Sequence, residues 1–355
     1  MKRLIILTDE DSEFFVSKAD FKNFTSMDVD KIINYFIAKN FNVSVFKFSE
    51  LDLSQDYRGV YTLYQTSEAA GGFYKRYIED LIYFLEKQGA IVIPKHELLK
   101  EHHNKIFMEL MRSRFADKSL KTIKSTCYGS YVDAKNYNSY FPVVIKRVSS
   151  SGGAGVFLAK NRKEYIKKIK KAGNVLVASG LIDFYIEYFK IVVKKLIKYF
   201  SPSKSKYLRY NTTPLSTPIV VQNFIEGLIG DYKVLIFGEK YYSMFRKNRD
   251  NDFRASGSGR FYEVPENEQE GLLNFAKKIT AEIDFPIFGI DIGFDGKEYH
   301  LLEFQMIDLG TSALQRSKFW YEFQERKWTK HEGLSNLEEE FSRAIYEYIY
   351  SRYKV

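Results

Sequence analysis

The chain has 355 residues, 45% of them hydrophobic, which is enough for two or three domains with sizeable cores. A formal net charge of +9, from 54 Lys and Arg against 45 Asp and Glu, fits anionic ligands such as nucleotides, acidic sugars or a phospholipid surface. No RNA- or DNA-binding motif accompanies that charge, so nucleic acid is not an expected partner.

Cys127 is the only cysteine, which excludes an intrachain disulfide and a cysteine-based metal site. A reducing cytoplasm is the expected location. The apolar run Leu4–Leu7 follows two basic residues and meets Asp9 at once. It is too short for a signal peptide and reads as a buried strand. No apolar run is long enough to span a membrane.

Residues 1–100 alternate strand and helix. Strands are expected at Leu4–Leu7, Val43–Phe48, Gly59–Tyr64 and Ala90–Ile93. Helices are expected at Val29–Lys39, with Ile32, Ile33, Phe36 and Ile37 at helical spacing, and at Phe73–Lys87, closed by Gly89. This rhythm predicts a small parallel sheet with flanking helices. A helix at 101–115 carries Lys105. Strands follow at Thr122–Ser125, Val143–Lys146, Gly155–Ala159 and Val175–Ala178, with a helix at Arg162–Ala172. Leu181–Phe200 reads as a long basic amphipathic helix, an insertion before the strands of 218–310. Glu266–Ile283 is a helix among those strands. An aromatic-rich segment containing Trp320 and Trp328 comes next, then a helix over 335–352 with Leu337, Phe341, Ile345 and Ile349 on one stripe.

Four segments carry chemistry, and each alone also fits a plain structural role. Lys146 ends a strand of Val and Ile and leads into Ser149-Ser150-Ser151-Gly152-Gly153-Ala154-Gly155. This small-residue loop lies between two strands, whereas the P-loop and the Rossmann fingerprint need a helix after the glycines. A turn of this kind can fold over polyphosphate and donate backbone N–H groups. Asp295-Gly296 marks a hairpin that brings Asp291 near Glu303 if its loop takes four or five residues, while Glu303 and Gln305, two apart, share a face. Such oxygen donors suit Mg²⁺. Arg246 to Arg260 is an Arg-rich stretch after the strand Tyr241–Phe245, and Arg forks grip phosphate and carboxylate. Val220 to Gly227 is an apolar strand running into a polar break, where backbone groups could meet adenine and a nearby acid could meet ribose.

Together these segments resemble the ATP-grasp superfamily, in the broad group of glutathione synthetase and D-alanine–D-alanine ligase, over about residues 100–310. The resemblance implies an α/β (α+β) fold: an N-terminal parallel-sheet domain (1–100), then an ATP-grasp fold of two α+β subdomains holding ATP between them (101–215, with the insertion at 181–210, and 216–355). It implies that Lys105 and Lys146 reach the phosphates. Ser150, Ser151, Gly152, Gly153 and Gly155 would cover the phosphates. Asn223 and Phe224 would lie beside adenine, and Glu226 or Asp231 at the ribose. Arg254 and Ser256 match an Arg-x-Ser/Asn element near the triphosphate and acceptor. Arg246, Arg249 and Arg254 are candidates to hold a carboxylate and its acyl phosphate. Asp291, Glu303 and Gln305 match the Mg²⁺ ligands.

Two departures stand out. Gln305 occupies a position that is usually Asn, and Met306-Ile307-Asp308-Leu309-Gly310 replaces the usual Asn-x-x-Pro-Gly context that borders the acceptor.

The expected activity is an ATP- and Mg²⁺-dependent carboxylate–amine ligase acting on amino acids, peptides or sugar acids, with surface-polysaccharide synthesis as one setting. A small-molecule kinase and a catalytically inactive nucleotide-binding protein are the alternatives. The basic helix predicts peripheral contact with anionic membrane through 187–200. Many relatives pair into homodimers.

Overall fold

A computed structural model describes residues 2–16, 25–67, 73–137, 140–150, 153–173, 189, 192–193, 216–256 and 258–353. In chain order the elements begin with β1 (Lys2–Thr8), β2 (Phe15–Val16), β3 (Thr25–Ser26), α1 (Val29–Ala38), β4 (Phe41–Lys47), β5 (Tyr61–Tyr64), α2 (Phe73–Lys87), β6 (Ile91–Ile93), α3 (His96–Glu101) and α4 (Lys105–Ser113). There follow β7 (Ser125–Tyr128), β8 (Val143–Arg147), β9 (Val156–Ala159), α5 (Arg162–Gly173) and β10 (Ile219–Asn223). The chain ends with β11 (Gly230–Phe237), β12 (Lys240–Lys247), β13 (Phe261–Tyr262), α6 (Glu266–Glu282), β14 (Ile287–Phe294), β15 (Tyr299–Gln305), α7 (Ser312–Arg316), β16 (Phe319–Gln324), β17 (Lys327–Glu332) and α8 (Leu337–Tyr353).

The chain divides into two compact units, one made of residues 1–123 with 225–355 and the other of 124–224. In the first unit, β1 is apolar and buried at consecutive positions because it is covered on both faces. It sits inside a parallel sheet of order β4-β1-β5-β6. The same unit holds an antiparallel sheet of order β15-β14-β11-β12-β16-β17, with β13 on β12. Every residue of β11 is buried.

The expected boundary near residue 100 does not coincide with these units. The stripe of α8 packs with α1 and the parallel sheet in one apolar core, in which Phe14 meets Phe341 edge-on. Ile307, just beyond β15, joins the core on the other face of the parallel sheet. These contacts join the first third of the chain to the last third, so the unit is discontinuous in sequence. The second unit is a sheet of order β7-β10-β8-β9 with α5 packed on it. The expected strand Val175–Ala178 lies outside the described residues. So does most of the expected basic helix, of which only 189 and 192–193 are described.

Three elements depart from the sequence expectation. The single helix at 101–115 is two helices, α3 and α4, separated at 102–104. His103 takes a left-handed φ of 53°, and Asn104 caps α4 by accepting from the Phe107 N–H at 3.1 Å. The strand expected at Thr122–Ser125 starts later. A short 3-10 turn at Lys118–Lys121, held by Asp117 accepting from Ser119 N at 2.8 Å, takes up the preceding residues. The aromatic segment is the hairpin β16–β17. Its turn residues Glu325 and Arg326 both have positive φ, 49° and 65°.

That conformation favours Asn-Gly. Replacing Glu325-Arg326 by Asn-Gly is expected to raise stability by about 1–2 kcal/mol, measured by urea denaturation. An unchanged midpoint would contradict the strain assigned to this turn.

Candidate active site

One face of the antiparallel sheet carries the charges. Asp231 and Lys233 lie two apart on β11 and so share that face. Register places Lys233 beside Asp291 of β14, and Asp291 beside Glu303 of β15. Gln305 stands opposite Gly289 on the same pair of strands. The Asp295-Gly296 turn starts the pairing, with Phe294 opposite Tyr299, and a bulge between Asp291 and Ile292 shifts the register by one so that Asp291 meets Glu303. The carboxylate pairing expected from the hairpin is therefore present.

These side chains are tied together. Lys233 Nζ lies 3.1 Å from Asp291 Oδ1, and Arg246 Nη2 lies 2.7 Å from Asp291 Oδ2. Arg246 also donates from Nε and Nη2 to the two Asp231 oxygens at 2.6 and 2.8 Å. Lys105 Nζ lies 3.8 Å from Glu303 Oε1. Three acids, Asp231, Asp291 and Glu303, thus face three bases, Lys105, Lys233 and Arg246, with a formal sum of zero. Burial alone would raise the Asp291 carboxyl, but Arg246 and Lys233 reverse this and hold it well below the usual carboxylate range. Burial, with the Asp291 charge adding to it, pushes Asp231 up to about 6 against the pull of Arg246. The two acids share one guanidinium, and Asp291 is the more firmly ionised of the two.

Helix α4 sets the position of Lys105. Lys105, Glu109 and Arg112 recur at helical spacing and are buried on the face that meets the sheet. Arg112, 2% exposed, donates from Nη2 to the Leu302 carbonyl at 3.1 Å and pairs with Glu109 at 3.4 Å. This docks α4 on β15 one residue from Glu303. The break before α4 means that His102 and His103 are not successive residues of one helix, as the expected helix over 101–115 would have made them. Their rings stack 4.3 Å apart. Glu101, the last residue of α3, is 3% exposed. Burial first, then Glu303, push its carboxyl well above the usual range, against Lys105 and Lys75.

The Arg-rich stretch divides. Strand β12 runs to Lys247, so Arg246 belongs to the sheet and not to the loop after it. Arg249 Nη2 donates to the Ser256 carbonyl at 2.7 Å. Arg254 pairs with Asp252 at 2.5 Å, and Arg260 with Asp250 at 2.5 Å. Glu226 is exposed.

In the second unit, Lys146 is buried near the end of β8, with Val156 of β9 and Val220 of β10 as its register partners. The loop that follows joins two antiparallel strands, as expected. A Cβ on Gly155 would meet Ser150 Oγ at 2.3 Å and Arg147 Cβ at 2.9 Å, so only glycine lets the loop close this tightly. Ser150 and Gly153 are within the described residues, while Ser151 and Gly152 lie outside them. Asn223 ends β10 and its Oδ1 accepts from Lys124 N at 2.6 Å; Phe224 N donates to the Pro142 carbonyl at 3.4 Å.

Sequence reasoning missed Lys233 and Glu101. The first had a signal, since two charges two residues apart open an otherwise apolar strand, Gly230-Asp231-Tyr232-Lys233-Val234-Leu235. Glu101 had none, because its burial depends on where α3 ends.

Among the described residues, no group of three His, Cys, Asp or Glu side chains is placed to hold a metal. Asp291, Glu303 and Gln305 supply two carboxylates and an amide oxygen on one face. That donor set fits a hard cation that completes its shell with water and phosphate oxygens.

No protein-family model and no curated protein sequence matches the chain. The Chryseobacterium gregarium RiPP-associated ATP-grasp ligase, solved with ADP and a leader and core peptide, is similar at a TM-score of 0.50 and 12% identity, over 98% of this chain and 97% of its own. The D-cycloserine synthetase DcsG is similar at a TM-score of 0.50 and 12% identity, over 97% and 98%. A D-alanine–D-alanine ligase from Bacillus anthracis is similar at a TM-score of 0.45 and 12% identity, over 88% and 89%. The chain has the ATP-grasp fold.

Replacing Arg246 by Met leaves Asp231 and Asp291 buried side by side without their guanidinium. The expected loss of stability is about 3–5 kcal/mol, read from chemical denaturation. A midpoint equal to that of the parent would refute the pairing described.

Proposed function

We propose that this chain is an ATP- and Mg²⁺-dependent ligase that activates a carboxylate as its acyl phosphate and joins it to an amine. The observation that carries the reading is the neutral, interlocked set of charges on the sheet face, with Lys105 at the start of a helix beside it. Burying such a set costs desolvation that mutual pairing offsets, and a polyanion with its cation can exchange for the partners.

A polyphosphate brings several negative charges to this face. Lys105 and Lys233 would turn from Glu303 and Asp291 toward phosphate oxygens. In the second unit, Lys146 and the loop 149–155 are the proposed phosphate-binding groups. The carboxylates so released, with Gln305, are the residues that would hold Mg²⁺. Bound there, the ion supplies charge neutralisation on the phosphates. Arg246 would stay with Asp231 and keep Asp291 aimed. Arg249 and Arg254, each held by a neighbouring loop group, would orient the substrate carboxylate.

In the chemistry proposed, a carboxylate oxygen attacks the γ-phosphorus and ADP leaves. The amine then attacks the acyl carbon, inorganic phosphate leaves, and the nitrogen loses a proton. Activation is required because a carboxylate and an amine do not condense unaided at neutral pH. The fold is shared with a ligase that binds a peptide and with a synthetase. This favours a bond-forming reaction over phosphate transfer alone, and it makes amino acids, peptides and sugar acids the substrates to try first.

Phosphate release from ATP should require Mg²⁺, an acid and an amine together. Glu303→Ala and Lys233→Gln should each lower kcat by about 10²–10³. Release with the acid alone and a stable phosphorylated product would indicate a kinase. Absence of nucleotide binding would refute the reading.

A further inference from the structure

Strand β15 carries one residue more than its partner. Ile292 of β14 stands opposite Leu301 and Asp291 opposite Glu303, so Leu302 has no counterpart. Two residues on one strand facing one on the other make a β-bulge, which re-aims the side chains beyond it. A regular strand alternates its faces. Here Leu301 and Phe304, three apart, both lie in the apolar core. The adjacent Leu302 and Glu303 both turn to the charged side, where Leu302 Cδ1 would lie 3.5 Å from a Cβ on Gly293, two residues from Asp291. In a ladder continued from the turn without the bulge, Asp291 would stand opposite Leu302. Glu303 would then stand opposite Ile290, a core residue, and share its face.

One side chain holds the extra residue. The Leu302 carbonyl accepts from Arg112 Nη2 at 3.1 Å. Strand β15 ends its sheet, so no further strand fixes its outer side. Arg112 is buried and pairs with Glu109 of its own helix at 3.4 Å. Among the described residues, its Nε and Nη1 have no hydrogen-bond partner. A buried guanidinium with unfilled donors costs stability, and an apolar side chain of similar volume would cost less to bury there. The bond to the bulge accounts for an arginine at this position, where packing does not.

We propose that Arg112 is a positioning residue that pins the bulge at Leu302 and so keeps Glu303 on the face of Asp291. It acts through the Leu302 carbonyl and touches neither nucleotide nor metal. Its effect on Mg²⁺ rests on the nucleotide reading above; its hold on the strand does not.

The test uses the full chain. Arg112→Met combined with Glu109→Leu removes the guanidinium without stranding its carboxylate partner. Hydrogen exchange without nucleotide, read by mass spectrometry, should show the β15 amides exchanging about tenfold faster, the size of one hydrogen bond, with β11 unchanged. Deleting Leu302 from this double variant leaves Asp291 opposite Glu303 in a regular ladder, and should restore slow exchange. A residue that only docked α4 would not be rescued by that deletion. With a nonhydrolysable ATP analogue present, half-saturation by Mg²⁺ should need about 10–100 times more of the ion in the double variant, and return toward the parent value on deletion. Arg112→Lys keeps the charge beside Glu109 but shortens the reach to the carbonyl. It should show the same acceleration and the same rescue if the double variant fails to fold. Exchange at the parent rate in both arginine variants would overturn the proposal, as would an acceleration that persists when Leu302 is deleted. If the parent binds neither the analogue nor Mg²⁺, the nucleotide reading falls, and hydrogen exchange still decides the role of Arg112.

Discussion

The arrangement of this protein depends on one constraint: charged side chains on a buried sheet face must be matched by partners or they destabilise the fold. Asp231, Asp291 and Glu303 meet that constraint with Arg246, Lys233 and Lys105. Arg246 is central because a guanidinium can serve two carboxylates at once in fixed geometry, which an ammonium cannot. Glu101 escapes the constraint differently, since burial pushes its carboxyl toward the neutral form.

The surrounding elements follow from placing those partners. Lys105 must reach β15 from a helix, so α4 is docked by Arg112 on the Leu302 carbonyl and starts at a capped Asn104. Lys233 must reach Asp291, so β11 and β14 are neighbours in register.

Much of this was readable from residue order. Local signals were sufficient where local physics decides: Leu4–Leu7 is apolar because both faces are covered, and Asp295-Gly296 marks the hairpin, although the bulge beside Asp291 that completes its pairing with Glu303 has no residue signature. The small-residue loop after Lys146 lies between strands, as its flanking residues indicated. The rest turned on interactions distant in sequence or on backbone geometry without a residue signature. The break at 102–104 places His103 in a left-handed conformation with no glycine to mark it. The β16–β17 turn uses Glu325-Arg326 where Asn-Gly would have been recognised. The first unit is assembled from both ends of the chain because α8 packs on α1, a contact that no local pattern announces. Lys233 was overlooked for a related reason: its value lies in its partner, Asp291, far along the chain.

The central claim is that the acids of the sheet face are held by their own bases until a polyphosphate exchanges with them. Titration calorimetry of Mg²⁺ into the protein, with and without a nonhydrolysable ATP analogue, tests it directly. The account predicts weak or undetectable Mg²⁺ binding alone, because Asp291 is occupied by Lys233 and Arg246, and strong binding once the analogue is present. Tight Mg²⁺ binding without nucleotide, or no gain on adding it, would contradict the account.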